Sequence, residues 1–320
     1  MEFEIWYNSF IKSLLSKYPK KSQLTTVLMD MLNIEREAAY RRLRKEVLFS
    51  ITEIIKLSSA FNISLDSFVI GNSPKISFQM QPINYLSPSD DELKFLRHVI
   101  HSINSFKDSP DTEFMDVCNK LPRQLIAGFN HLNQYYLFKW MHQYGKEKRA
   151  IPFSQVFISD EKWQVTSEYY KAVKTVPQTI FIFDKMIFEN LVNEILYFNS
   201  IQLITDKEKE LLKSDLNAML DYLFEVATYG YYPETKKKVS IYIAQIHINT
   251  NYNYTYTNKI NICFVHVFDK YEIYTFDNEM VEKFKSWMLF KKDISRLISE
   301  TDTKYRIEFF KKQRQIVDTL

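Results

Sequence analysis

The apolar positions near the start of the chain fall at helical spacing. Four of them are three or four positions apart: Leu24, Val27, Leu28 and Met31. This spacing places them on one stripe of a helix. Residues 32–34 are too few for anything but a tight turn, and Asn33 belongs to the few residue types other than glycine that readily enter left-handed backbone. A second helix is predicted from about Glu35 to Lys45.

Two further short helices are predicted after it. Ser50 and Glu53 have the spacing of a capping box, in which two side chains satisfy the first free N–H groups of a helix. The helix that follows should turn four apolar residues inward: Ile51, Ile54, Ile55 and Phe61. Residues 62–68 predict a short final helix capped by Ser64. Short helices around one core, two of them joined by a three-residue turn, form a helix-turn-helix arrangement.

The second helix of this arrangement is unusually rich in arginine. The chain has ten arginines against 32 lysines, and four arginines lie within nine positions: Arg36, Arg41, Arg42 and Arg44. Lysine alone would provide solubility. Arginine adds a planar fork that can bond two acceptors at once, on a phosphate or on a guanine edge. The cluster therefore indicates a surface that binds something.

At about 100° per residue, the second helix has two different faces. One broad face carries the candidate DNA-binding residues Arg36, Glu37, Tyr40, Arg41, Arg44 and Lys45. The other carries Ala38, Ala39 and Leu43, which we expect to pack on the preceding helix. Arg42 falls in the middle of this inner arc, where we expect it to reach out at the edge or to pair with an acid such as Asp30.

The segment from Leu24 to Phe68, LTTVLMDMLNIEREAAYRRLRKEVLFSITEIIKLSSAFNISLDSF, resembles the lambda-repressor-like helix-turn-helix family of DNA-binding domains. The resemblance covers residues of about 22–70 only, and in that family the second helix of the motif lies in the major groove. Residues near its start or middle would then contact base edges: Arg36, Tyr40 and Arg41. Residues further along would contact phosphates: Arg44 and Lys45.

Three positions differ from the usual pattern of the family. Asn33 stands in the turn, where the family usually has glycine. Met29 stands in the first helix of the motif, where a small residue is usual. Glu35 opens the second helix in place of serine or threonine, and it brings a negative charge near the DNA phosphates.

The rest of the chain predicts a linker and a larger domain. Residues 71–88 contain one glycine and three prolines and indicate a linker, with one extended segment around residues 75–81. Helices are then predicted near residues 90–106, 122–144, 162–175, 185–198, 206–229, 277–299 and 302–318. Three segments rich in β-branched and aromatic residues predict an antiparallel meander: 238–248, 259–268 and 271–276.

The predicted fold class is therefore mainly α with a smaller β part, or α+β. Residues 1–70 form an all-α helix-turn-helix domain, and residues 71–88 the linker. Residues 89–320 form a helical domain that contains a small antiparallel sheet.

Histidine and tyrosine patterns outside the first domain have ordinary explanations. His98 and His101 lie three positions apart on a predicted helix, which favours an exposed face over a metal site. His247 and His266 lie on candidate neighbouring strands and meet only in a favourable register. Three alternating tyrosines could form a stacking platform, although cross-strand aromatic packing is favoured: Tyr252, Tyr254 and Tyr256.

Amino-acid composition limits the classes of protein to which this chain can belong. An apolar fraction of 46% excludes general disorder, and a net charge of +3 means that any site for a polyanion must be local. Cys118 and Cys263 lack metal-ligand spacing and are expected to be reduced thiols of a cytoplasmic protein. No apolar run is long enough to cross a membrane, and no secretion signal is present. Because the chain has only four glycines and no catalytic motif, we expect that the protein is not an enzyme and that it binds neither a cofactor nor a metal.

These observations predict a sequence-specific transcriptional regulator that binds double-stranded DNA, with no membrane partner. Because one helix-turn-helix covers only a half-site, we expect a homodimer. Residues 89–320 would dimerise and could sense a small-molecule effector. The alternatives are a protein whose helical N-terminal domain docks a protein partner and a protein whose main role is small-molecule sensing.

Overall fold

The computed structural model describes residues 2–18, 20–61, 63, 65, 76, 78–80, 90–144, 151–257, 261–268 and 271–320. The chain divides into two compact units, Met1–Phe78 and Gln79–Leu320. Most of the predicted linker, residues 71–88, lies outside the described residues, so its limits stay a prediction. Its residues 79–80 form a short strand of the second unit, inside the segment predicted to be extended.

The described part of the first unit contains four helices. These are α1 (Glu2–Ser16), α2 (Lys21–Leu32), α3 (Arg36–Leu43) and α4 (Ile51–Phe61). α1 was not predicted from the sequence, and it contributes Tyr7, Phe10 and Leu14 to the core. The hydroxyl of Tyr7 accepts the backbone N–H of Phe49 at 3.0 Å, which ties α1 to the segment before α4. The predicted final helix falls mostly outside the described residues, and so does its cap, Ser64.

The inward face of α4 differs from the prediction. Ile54 and Leu57 are buried, but Ile51 and Ile55 are 68% and 54% exposed. The buried stripe runs through positions 54, 57 and 58 and continues to the half-buried Phe61, and these positions also have helical spacing. The prediction was therefore right for Ile54 and wrong for Ile51 and Ile55, because two overlapping stripes on one helix compete and packing selects only one.

The second unit is built on one eight-stranded mixed sheet within the residues that the structure describes. In spatial order its strands are β1 (Gln79–Met80), β7 (Tyr271–Thr275), β6 (Asn261–Val267), β5 (Tyr252–Tyr256), β2 (Glu113–Cys118), β3 (Gln178–Phe183), β4 (Lys238–Ile243) and β8 (Arg296–Leu297). β2, β3 and β4 are parallel, and the remaining pairs are antiparallel.

The fold class, mainly α with a smaller β part, is confirmed. The predicted antiparallel meander is wrong in its first strand. β4 pairs in parallel with β3, and the strand that pairs with β6 at this end of the meander is β5. β2 and β3 were not predicted. β3 is buried along almost its whole length, and a short continuous apolar run gives no periodicity that separates a strand from a buried helix.

Helices cover both faces of the sheet. They are α5 (Asp90–Phe106), α6 (Arg123–Ile126), α7 (Asn130–Tyr144), α8 (Asp160–Val173), α9 (Glu189–Ser200), α10 (Asp206–Tyr229), α11 (Asn278–Asp293) and α12 (Thr303–Val317). α7, α9, α10 and α12 bury one face of β3 and β4 in the largest core. α11 buries the opposite face, with Phe284 and Met288 against Tyr254.

Two predicted helices differ in extent. The helix predicted at 122–144 is interrupted between α6 and α7, where the side chain of Asn133 donates to the carbonyls of Ile126 and Phe129 at 3.0 Å each. At Gly128 an added Cβ would lie 2.5 Å from the Tyr170 ring, so the chain approaches α8 too closely for a side chain. α11 ends at Asp293 because the residues after it turn into β8.

No helix in the described ranges is long and apolar enough to span a bilayer.

Replacing Leu216 of α10 tests the larger core. Leu216 is completely buried, so Leu216→Ala should lower the free energy of unfolding of the second unit by about 2–5 kcal/mol through lost burial and the cavity left behind. Urea unfolding measures this loss. The matched control is Leu211→Ala on the same helix, at a position that is 38% exposed and should change stability by less than about 1 kcal/mol. Equal losses in both variants would contradict the described packing.

Candidate functional sites

The turn between α2 and α3 has the left-handed backbone that the sequence predicts. Asn33 closes α2 with φ 52° and ψ 53°, and its N–H donates to the carbonyl of Met29. The N–H of Ile34 donates to the same carbonyl at 3.3 Å. This conformation provides donors for a free backbone carbonyl at the end of α2 and allows α3 to start only three residues later.

The orientation of α3 agrees with the helical wheel. Ala39 and Leu43 are buried in the core of the first unit. Of the predicted DNA-binding residues, Tyr40 is half-buried, and the other five are exposed: Arg36, Glu37, Arg41, Arg44 and Lys45. α3 ends at Leu43, two residues earlier than predicted, and Lys45 has a left-handed φ of 66°. Lys45 therefore lies beyond the helix.

Arg42 pairs with an acid other than the one named from the sequence. Its Nη2 and Nε lie 2.9 and 3.3 Å from the two carboxylate oxygens of Glu53, whereas Asp30 is exposed. Glu53 also accepts the N–H of Ser50 at 2.7 Å, and Ser50 Oγ accepts the N–H of Glu53 at 3.2 Å. The predicted capping box is confirmed, and the same carboxylate connects α3 to the start of α4.

The exposed arginines of α3 differ in their ion pairs. Arg44 lies 2.7 Å from both Glu37 and Glu46, and Arg41 lies 3.6 Å from Glu46. Arg36, at the start of the helix, makes no ion pair within the described part of the chain. Exposed ion pairs are worth about 0–1 kcal/mol, so Arg41 and Arg44 can exchange a carboxylate for another anion at small cost.

The second unit contains a cavity of about 970 Å³. Its floor is the face of the sheet formed by β2, β5, β6 and β7, and α5 to α8 line its other sides. One row of paired residues crosses the floor: Asp116, Asn253, Phe264 and Tyr274. The neighbouring row toward one end is mainly apolar and holds Phe114, Thr255 and Ile262.

The opposite end of the cavity is charged. Glu92 of α5 accepts from Arg123 at 3.0 Å and from Lys162 at 2.6 Å. His266 Nε2 lies 2.9 Å from Glu272 on the neighbouring strand. Although burial acts to lower it, the pKa of His266 is raised by Glu272, and His266 in turn lowers the pKa of Glu272. The His266–Glu272 pair is therefore favoured in its charged form inside the unit.

Asp116 lies between the charged and apolar ends. Its side chain is buried, and its two oxygens accept from the amides of Gln124 at 2.5 Å and Asn253 at 2.7 Å. Burial raises the pKa of Asp116 to about 6, against the lowering effect of these two amides. A buried acid with a raised pKa in a cavity is typical of functional sites.

Two of the four candidate histidines and one of the three alternating tyrosines have structural partners. His247 pairs with Asp184 at 2.9 Å and His266 with Glu272, so the two histidines do not meet. Among the described residues, no group of three potential ligands could hold a metal ion. Tyr252 packs on the rings of Phe284 and Trp287 beneath α11, which is aromatic packing and not an open stacking platform.

Comparison with known proteins gives no assignment for either site: no family model, no curated protein and no solved structure matches this chain.

Replacing Glu53 tests the link between α3 and α4. Glu53→Ala should lower the free energy of unfolding of the first unit by about 1–3 kcal/mol, because it removes both a cap and a charged hydrogen bond. Glu46→Ala, which removes an exposed acid, should lower it by less than about 1 kcal/mol. Thermal or urea unfolding measures both, and equal effects would contradict a special role for Glu53.

The same carboxylate gives a pH dependence with a definite sign. Although burial acts to raise it, the Ser50 N–H and the Arg42 guanidinium hold the pKa of Glu53 below its ordinary value of 4.5. Its contribution is therefore complete above that value and is lost as the pH falls through the lower folded-state pKa. The stability difference between wild type and Glu53→Ala should shrink over that acidic range.

Proposed function

We propose that this protein is a sequence-specific regulator of transcription that places α3 in the major groove of double-stranded DNA. The observation that carries the proposal is the orientation of α3 after the Asn33 turn. Ala39 and Leu43 point into the core, so the arginine-rich side of the helix points to solvent. A short exposed helix after a tight turn is the geometry with which helix-turn-helix domains approach DNA.

The exposed residues of α3 divide by position. Arg36 begins the helix, and Tyr40 and Arg41 lie about one turn further along. These three residues are proposed to contact base edges, where a bidentate arginine discriminates by about 1–3 kcal/mol. Arg44 and Lys45, at and beyond the helix end, are proposed to bind phosphates. Glu37 lies 2.7 Å from Arg44 and would hold that guanidinium until a phosphate replaces it.

The protein is also proposed to bind DNA as a homodimer. A single reading helix covers a short half-site, and two copies related by a two-fold axis would cover two half-sites about one helical turn apart. The second unit is proposed to supply the dimer contacts and to bind a small-molecule effector.

Selection of random duplex DNA by the full-length protein tests the proposal. Wild type should enrich a two-part site, and Arg36→Ala/Arg41→Ala should lose this enrichment, because the two guanidinium groups discriminate between bases. The control Lys12→Ala/Lys56→Ala removes the same charge from exposed positions on α1 and α4 and should enrich the same site. Enrichment by neither wild type nor control, or equal enrichment by all three proteins, would contradict the assignment.

Docking of a protein partner is a second candidate function, and one observation favours it. Three apolar side chains around the start of α4 are at least half exposed: Leu48, Ile51 and Ile55. Ile51 and Ile55 are one helical turn apart and form a continuous apolar surface. Such a surface is suited to a partner helix or a second copy of the first unit.

Charge substitutions on this surface test the second candidate. If this surface joins two copies, Ile51→Asp/Ile55→Asp should weaken the self-association measured by analytical ultracentrifugation, because both aspartates would be desolvated in the interface. Thr52→Asp, an exposed position between them, should leave association nearly unchanged. A monomeric wild type, or a dimer that the double substitution does not weaken, excludes this surface as the site of self-association.

A further inference from the structure

The cavity of the second unit is matched to a ligand with two different ends. Apolar groups line one end, among them Ile103, Phe106, Phe114 and Ile262. Ion pairs line the other end, where Glu92 and Glu272 each have basic partners. A volume of about 970 Å³ is at the upper end of the range of about 300–1,000 Å³ that holds drug-sized molecules.

The carboxylate of Asp116 is different from the other acids of the cavity. Glu92 and Glu272 lie within 3.0 Å of cationic nitrogens, whereas Asp116 is held by two neutral amides and makes no ion pair in the described ranges. A buried carboxylate keeps its charge at a free-energy cost unless a cation compensates it. Asp116 is therefore the place where a ligand's positive charge would be stabilised most.

The surroundings of Asp116 favour an organic cation over a hydrated metal ion. Phe264 and Tyr274 lie in the same row of the floor, and Tyr136 and Tyr169 line the cavity from α7 and α8. Aromatic rings attract cations through their faces and exclude water. An apolar body attached to the cation would extend toward Phe106 and Phe114.

The basic groups of the cavity do not neutralise Asp116. Arg123 and Lys162 both contact Glu92, and His266 contacts Glu272. Lys120 also lines the cavity, and its ammonium interacts with Lys139 and Glu194. The charges that act most on Asp116 are those of His266 and Glu272, which have opposite effects.

We propose that this cavity binds an organic amine with an aromatic or aliphatic body, and that the carboxylate of Asp116 receives its ammonium group. The proposal is independent of DNA binding, because every residue that lines the cavity belongs to the second unit. The competing explanation is that Asp116 only holds the amides of Gln124 and Asn253 in place.

Calorimetric titration of the full-length protein with matched probes separates these explanations. The probes are phenethylamine, phenethyl alcohol and hydrocinnamate, with tryptamine, tryptophol and indolepropionate as a larger series. The two amines should bind about tenfold or more tightly than the alcohols and the acids of the same shape, because a charged hydrogen bond is lost with the alcohols and a like charge is introduced with the acids.

Two substitutions assign the binding to the cavity. Asp116→Asn should weaken amine binding about tenfold or more. Asp108→Asn, the same change at an exposed position outside the cavity lining, should leave it unchanged. Because Asp116→Asn replaces one of the two oxygens that accept amide N–H groups with an NH2 donor, its folding is checked by circular dichroism. Tyr274→Leu provides a second variant, and it should reduce the preference for amine over alcohol.

Several results would overturn the proposal. One is that no amine of either series binds, and another is that alcohols or carboxylates bind as tightly as amines. Undiminished amine affinity in a folded Asp116→Asn protein would show that Asp116 has the structural role only. If Asp116→Asn does not fold, the wild-type comparison and Tyr274→Leu decide. None of these results bears on selection of DNA by α3.

Discussion

Burial of Ala39 and Leu43 fixes the rotation of α3 about its axis, and the identity of the exposed side chains depends on that rotation. Two further contacts hold the helix in this position. The left-handed Asn33 starts α3 immediately after α2, and Glu53 connects Arg42 to the first turn of α4. As a result, Arg36 and Arg41 face solvent from a helix whose other side cannot turn outward without exposing the core.

A different constraint organises the second unit. β2 lies at the boundary between the parallel and the antiparallel part of the sheet, where it pairs with β3 on one side and β5 on the other. The same face of the sheet is closed by an apolar core over β3 and β4 but is open to the cavity over β2, β5, β6 and β7. Because the apolar core stabilises the second unit, the unit can tolerate the free-energy cost of buried acids such as Asp116 in the cavity.

The first unit could largely be predicted because its signals are local. The α2 stripe, the Asn33 turn and the Ser50–Glu53 capping box each depend on residues within seven positions. The inward face of α4 could not be predicted, since Ile51 and Leu57 belong to rival stripes that only packing separates. The cavity depends on distant residues: Asp116 and Asn253 are 137 positions apart and meet through strand pairing. Such contacts leave no spacing in the sequence, although an aspartate between the apolar residues Met115 and Val117 is a signal that could have pointed to Asp116.

DNA binding by the exposed, arginine-rich face of α3 is the proposed role of the first unit. The most direct measurement is the affinity of full-length protein for duplex DNA as a function of salt concentration. Phosphate contacts by cationic side chains release counterions, so log affinity should fall steeply and linearly with log salt. The slope should be smaller in Arg44→Ala/Lys45→Ala, which removes the two proposed phosphate contacts, than in wild type. Affinity that does not depend on salt, or the same slope in both proteins, would contradict the account.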